Sequence, residues 1–345
     1  MLMRSCHQVV CAPELKQMFG AIGTAGCGAA IDLSTLKHRV YDESAPAVYF
    51  TREITPKGLI AAYEALGRKA EGKVAAKLSS GEAGNTHYLN PALIKDLVSM
   101  VNATIVECNT AYEGSRMHTA DHWKTIKDHG FTAIAPFDLM DEDGQMEIPV
   151  TGGKHLKSDL VGDHLARYDY MLVLTHFKGH AMGGFGGALK NISIGVASSV
   201  GKNRIHTAGR SDTLGTIFTL DNGAFGRNDT PEHVMFIESM AEAASAVSDY
   251  MGKGQRMIYV SVMNNLSVDC DCDGHPAAPQ MKDIGVLASL DPVALDQACV
   301  DMVYAAPDGA ALIERMESRK GTVILDHAAE LGLGSKQYCL IDLDR

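Results

Sequence analysis

From residue 47 the hydrophobic pattern switches repeatedly between a strand-like and a helix-like period. "AVYFTR" (47–52) reads as a strand, and "PKGLIAAYEALGR" (56–68) has helical spacing with Pro56 near its start. "KVAAKLS" and "ATIVECN" predict strands, with the helix "NPALIKDLVSMV" between them. "MHTADHWKTIKDHG" predicts a helix stopped by Gly130, "FTAIAPFDLM" is strand-like, and "DEDGQ" is a turn. "LKSDLVGDHLARY" reads as helical, and "DYMLVLTH" is the most apolar strand of this half. Further on, "PEHVMFIESMAEAASAVSDYMG" and "DPVALDQACVDMVYAA" predict helices. "QRMIYVSVMNN", "DIGVLASL" and "KQYCLIDL" predict strands.

Strands alternating with amphipathic helices imply βαβ units. The expected fold is α/β, with mostly parallel sheet and helices on both faces, because runs such as "YMLVL" are apolar at every position. Residues 1–46 differ from the rest and are expected to form an irregular N-terminal extension. Residues 47–345 are expected to form one domain, or two α/β subdomains split near 150 with the site in the cleft between them.

Composition changes this picture little. The net charge of −11 and the lack of a basic stripe argue against a nucleic-acid partner. No apolar run approaches the roughly 20 residues that span a bilayer. Eight scattered cysteines in 345 residues fit a reducing cytoplasm. The alternative is a lipoprotein anchored at Cys27, in "FGAIGTAGCGAA", although Glu14 and Lys16 precede its short apolar stretch.

Candidate chemistry concentrates in "THFKGHAMGGFGGALKN" (175–191), which begins where the "YMLVL" strand ends. In open parallel sheets ligands bind beyond the carboxyl ends of strands. Three familiar motifs fail here. GxGxxG breaks at Leu189. "GVASSVGKN" has five residues between its glycines rather than four, and Asn203 where a P-loop needs Ser or Thr. "HFKGH" lacks the glutamate of HExxH. What remains is His176, His180, Lys190 and Asn191, then Lys202, Arg204 and His206. Gly183, Gly184, Gly186 and Gly187 would let the backbone approach a ligand. Imidazoles bind transition metals and move protons near neutrality, and a lysine in a dry site can become a nucleophile or covalent anchor. "ECNTAYEGSRMHTADH" could bring Glu107, Asn109, Arg116 and His118 to the same crevice.

A second constellation, "NNLSVDCDCDGHP", packs Cys270, Cys272 and His275 among three aspartates. Thiolate plus imidazole suits Zn, Fe or an iron–sulfur cluster, with Cys108 and His206 as further candidate ligands. The alternative is a turn shaped by Asp and Gly.

From about Val48 onward the chain resembles the family called domain of unknown function 362. The resemblance rests on "HFKGHAMGGFGGALKNISIGVASSVGK", "VDCDCDG" and "DIGVLASLDPVALDQACVDMV". Many members carry a ferredoxin module and the label iron–sulfur centre protein; this chain has no C-x₂-C-x₂-C-x₃-C run. A weaker resemblance is to the nickel-pincer lactate racemase family. There, a histidine, a glycine-rich stretch ending in lysine and a later histidine follow one another much as His180, Lys190 and His206 do. That likeness implies Lys190 as the anchor of the cofactor, His206 as nickel ligand, and His180 and His87 as proton-exchanging bases. It also implies Arg52, in "FTREITP", as an anion clamp. Leu189 departs from the arginine found there.

The expectation is therefore a metal-assisted enzyme that transfers a proton or hydride on a small anionic hydroxy- or oxo-compound. Fe, Ni, Zn or an iron–sulfur cluster is the candidate cofactor. The alternatives are a metal-binding redox protein with a redox partner, using Cys270 and Cys272, and a non-catalytic anion-binding module.

Overall fold

The computed structural model describes residues 31–218 and 230–345. The chain opens with β1 (Arg39–Val40) and β2 (Ala47–Thr51), then runs through α1 (Pro56–Ala65), β3 (Val74–Lys77), α2 (Pro91–Met100), β4 (Thr104–Glu107), α3 (Thr119–Asp128) and β5 (Phe137–Leu139). A hairpin of β6 (Gln145–Pro149) and β7 (Ser158–Gly162) leads to β8 (Tyr170–His176). A short hairpin, β9 (Lys178–His180) and β10 (Gly184–Gly186), is followed by α4 (Ala188–Ile192) and α5 (Ser199–His206). The last part comprises α6 (Pro231–Tyr250), β11 (Met257–Met263), β12 (Gly285–Ser289), α7 (Pro292–Ala305), α8 (Ala310–Ser318), α9 (Val323–Glu330) and β13 (Tyr338–Asp342).

Nine strands form one sheet in the order β1-β13-β2-β12-β11-β8-β3-β4-β5. All neighbours pair in parallel except those of β12, which runs antiparallel to β2 and β11. The α/β class and the mostly parallel sheet agree with the sequence pattern. β8 shows why its run is apolar throughout. Met171 and Val173 enter the core on one face, and Tyr170, Leu172 and Leu174 enter the core on the other. The first core is shared with α4, α6 and α7, the second with α1, α2 and α3.

The helix starts follow local chemistry. Thr55, Asn90, Thr230 and Asp291 each cap a helix whose first residue is proline, so the side-chain oxygen satisfies an N–H that the helix leaves free. One expectation is overturned. Residues 156–168 are β7 and a 3-10 turn rather than a helix. The spacing of Leu156, Leu160 and Leu165 suits a helix, but pairing with β6 from Ser158 to Gly162 decides the matter. Residues 31–46 put Leu33 and Leu36 in the core and pair β1 with β13. Cys27 and the lipoprotein alternative fall outside the described residues. Among the described residues no helix is long and apolar enough to cross a membrane.

Candidate active site

Three neighbouring parallel strands end in ionisable residues: β3 at Lys77, β4 at Glu107 and β8 at His176. Beyond these ends lie two adjoining cavities. The narrow one, about 80 Å³, is lined by Lys77, Arg116, Lys178, Lys190 and Lys202, with Glu107 and Asp271 as its only carboxylates. The wide one, about 790 Å³, is lined by His180, His206, a set of apolar side chains and the carboxylates of Glu82, Glu113, Asp269 and Asp273, of which Glu82 pairs with Arg116 and Asp269 with Arg315. Lys190, Tyr112, Ile194, Cys270 and Cys272 line both.

Each cation of the narrow cavity is held differently. Lys178 donates to Asp271 at 2.6 Å, and Arg116 pairs with Glu82 and Glu107. Lys77 donates to the Leu78 carbonyl and to Asn191 Oδ1, and Lys202 to the Ala197 carbonyl. Among the described residues the Lys190 ammonium reaches no acceptor; it opens on the cavity from the middle of α4. Burial, and then the charge of Lys178, push Lys190 down to about 7. Burial pushes Lys77 down to about 8 against the pull of Glu107. Burial would raise the two carboxyls, but their partners win. Arg116 and His122 hold Glu107 well below the carboxylate range, and Lys178 and His176 do the same for Asp271.

The backbone sets the histidine tautomers. His180 Nδ1 accepts the N–H groups of Gly183 at 2.8 Å and Met182 at 3.2 Å. A neutral imidazole that accepts at Nδ1 carries its proton on Nε2. That Nε2–H faces Cys272 Sγ at 3.8 Å. Burial, then the charges of Lys190 and His206, keep His180 well below its ordinary pKa, so the ring is neutral. It is built as a hydrogen-bond donor. His206 is the opposite tautomer. Its Nδ1 donates to the Lys202 carbonyl at 2.6 Å, which leaves the lone pair on Nε2. Burial pushes it down to about 4. His176 lies between the Asp271 carboxylate at Nδ1 and the Asn264 carbonyl at Nε2. Both nitrogens are engaged by these partners, so the ring anchors the Asp271 loop.

The glycine-rich segment is shaped by packing as much as by a ligand. At Gly184, φ is +79°, and a Cβ would come within 2.8 Å of the Gly321 Cα. A Cβ on Gly187 would come within 2.5 Å of the Asp296 carboxylate, which accepts the N–H groups of Ala188 and Leu189 at the start of α4. Gly183 supplies the N–H that fixes His180, and Gly186 and Gly187 line the narrow cavity. Asn191 ties α4 to the strand ends, donating to the carbonyls of Lys77 and Leu174.

Other sequence candidates lie elsewhere. Arg52 is half-exposed and paired with Asp342 and Asp344. His87 lines neither cavity and sits on the loop where Asn85 holds the Cys270 and Asp273 carbonyls. His275 is exposed, and His180 takes its expected place beside the two cysteines. Cys270 and Cys272 are joined as a disulfide in this structure, and their sulfurs lie with a His180 nitrogen within 4.8 Å of one another. The element types suit a borderline metal, but their state does not. With the sulfurs bonded to each other and the imidazole proton on Nε2, this trio would take a metal only after reduction of the disulfide and loss of that proton. Lys190 and His206 both line the wide cavity.

Sequence reading missed Lys77, Lys178 and Asp296. The signal for Lys77 was present: "VAAK" is a fully buried strand that ends in a charge at a strand-end crevice. Glu107 and Arg116 do line the narrow cavity; Asn109 turns instead to His122 and Thr119.

A model of the family described as domain of unknown function (DUF362) matches residues 74–301. The chain belongs to this family. The matched span starts at β3 and ends in α7, so it holds both cavities. No curated protein matches the chain. Similar solved structures include the lactate racemase apoprotein of Thermoanaerobacterium thermosaccharolyticum, at 13% identity and a TM-score of 0.42. That similarity covers 73% of this chain and 56% of the racemase. A protein of Thermotoga maritima is 12% identical with a TM-score of 0.41, over 74% of this chain and 58% of the other. The chain thus spans under two thirds of the length of either structure.

Proposed function

We propose that this chain is an enzyme that binds an anionic hydroxy- or oxo-compound in the narrow cavity and transfers a proton at the carbon beside its carbonyl or carboxylate group. The observation that carries this reading is Lys190. Its amine stands where the two cavities meet, pushed down to about 7, with no acceptor of its own among the described residues. A base whose pKa lies near working pH combines adequate population with adequate strength. Arg116, Lys77 and Lys178 surround the space where the anion would sit, and charge-assisted hydrogen bonds from such groups are the strong ones. His180 Nε2–H is a neutral donor suited to the developing oxyanion, since an uncharged imidazole can polarise a carbonyl. Lys190 takes the proton from carbon, and His180 steadies the enolate oxygen until the proton returns. A nickel-pincer group on Lys190, with His206 as ligand, would supply hydride acceptance instead.

The test is solvent exchange. Incubation with 2-oxo and 2-hydroxy monocarboxylates in D₂O, followed by NMR, should show deuterium entering at the activated carbon. Lys190→Met should lower the rate at least roughly 100-fold, the lower range for loss of a general base. Binding of these anions without any exchange would remove the enzymatic reading and leave an anion-binding module.

One observation favours a second reading. The Cys270–Cys272 pair faces His180 Nε2–H in the wall of the same cavities. A hydrogen-bond donor and nearby cations favour a thiolate on reduction. A dithiol–disulfide couple, or a metal taken up after reduction, would then act at this wall. Elemental analysis of protein purified without oxygen, with Cys270→Ala and His206→Ala beside wild type, separates these sites. Loss of stoichiometric metal in Cys270→Ala alone would favour the redox reading.

A further inference from the structure

The geometry points to a monocarboxylate with a substantial apolar body as the substrate class; this inference rests on the anion-binding reading above. The two cavities are unequal in size and opposite in character. By the same measure one is about 80 Å³ and the other about 790 Å³. A water needs roughly 10–15 Å³ of such space, so the narrow cavity seats a head group of a few atoms and little else. The wide cavity falls within the roughly 300–1,000 Å³ of sites that hold drug-sized ligands. A three-carbon acid would leave it almost empty.

The linings divide in the same way. Cations crowd the narrow cavity. Ala111, Met117, Met182, Ile194, Leu214 and Ile217 line the wide one. Ala111, Met182 and Ile217 are buried in its wall, while Leu214 is exposed at its rim. The cavities join at Lys190 and Ile194, one a base and the other apolar. A molecule with its carboxylate among the lysines therefore places its second or third carbon near Lys190 and its remaining chain or ring in the wide cavity. At the mouth stand Glu113 and Asp273, both exposed. A second carboxylate at the far end would meet like charge there, which selects against diacids.

Isothermal titration of the full chain with a series of straight-chain 2-oxo monocarboxylates tests this. Each added methylene should tighten binding roughly fourfold, the equivalent of burying one CH₂, over at least the first several carbons beyond pyruvate. Ala181→Trp, on the exposed rim of the wide cavity, should weaken the long acids toward the level of pyruvate and leave pyruvate unchanged. Ala111→Phe, deeper in the same wall, is the second variant. The 2-oxo diacid of equal length should bind at least tenfold more weakly than the monoacid. Equal affinities along the series would overturn the size inference and leave the anion site standing. Tight diacid binding would overturn the monoanion preference. No binding of any acid would overturn both this inference and the function on which it rests.

Discussion

Lys190 should weaken the fold that it serves, and the size of that weakening is fixed by its surroundings. Burial and Lys178 lower it from 10.5 to about 7. At roughly 1.36 kcal/mol per unit, holding the ammonium in place costs on the order of 5 kcal/mol, and water in the cavity would trim this to a few. The sign follows from proton counting. Below pH 7 the amine is charged in both folded and unfolded chains, so the whole cost is present. Between about 7 and 10.5 the unfolded chain binds more protons, so stability rises with pH and the cost fades. Lys190→Met keeps the length and removes the charge. At pH 6 the variant should therefore be the more stable protein, by up to about 5 kcal/mol, and at pH 9.5 by only about 1 kcal/mol. Lys77 titrates in the same direction and is present in both proteins, so its contribution largely cancels in the difference. Urea unfolding midpoints and slopes at the two pH values give the comparison directly. A bound monocarboxylate should stabilise wild type at pH 6 more than the variant, in which Arg116, Lys77 and Lys178 face it without Lys190. An equal or less stable variant at pH 6, or a gain that does not shrink by pH 9.5, would refute the reasoning.

Other residues give sharper local tests. Asp271→Asn leaves Lys178 and His176 without their shared carboxylate and should cost about 3–5 kcal/mol at pH 7. Because Asp271 is held well below its ordinary pKa, that gap should narrow as pH falls below about 4; a constant gap in acid melts would contradict the pairing. Asp296→Ala removes the acceptor for the first N–H groups of α4 and should cost about 1–2 kcal/mol in thermal melts, while raising KM through a displaced Lys190. Unchanged kinetics would show that α4 is positioned by other contacts. Gly187→Ala drives a methyl into the same carboxylate and should mimic that defect in both stability and kinetics.

The hydrophobic pattern specified the sheet well because its central strands are buried on both faces, which leaves no polar positions to blur the period. β8 and β11 are apolar for this reason, and the helices between the early strands are marked by a cap followed by proline. It failed at residues 156–168, where one set of leucines satisfies a helix and a paired strand equally, and only the partner β6 chooses. The site was legible in part for an analogous reason. Lys190, His180, Cys270 and Cys272 stand in short, unusual stretches, and folding brings those stretches to one wall. Lys77 and Asp296 lie far from them in sequence, inside elements that read as ordinary core, and only sheet order and the α7–α4 packing bring them to the cavity. Spacing also could not reveal what His180 is. A histidine ten residues before a lysine looks like a base. The N–H groups of Gly183 and Met182 fill Nδ1 and make it a donor. The glycines that seemed to be there for a ligand therefore act first on the protein, fixing a tautomer through Gly183 and admitting a capping carboxylate at Gly187. In the proposed reaction the base is accordingly not one of a pair of histidines but one lysine, whose charge the fold holds at a cost.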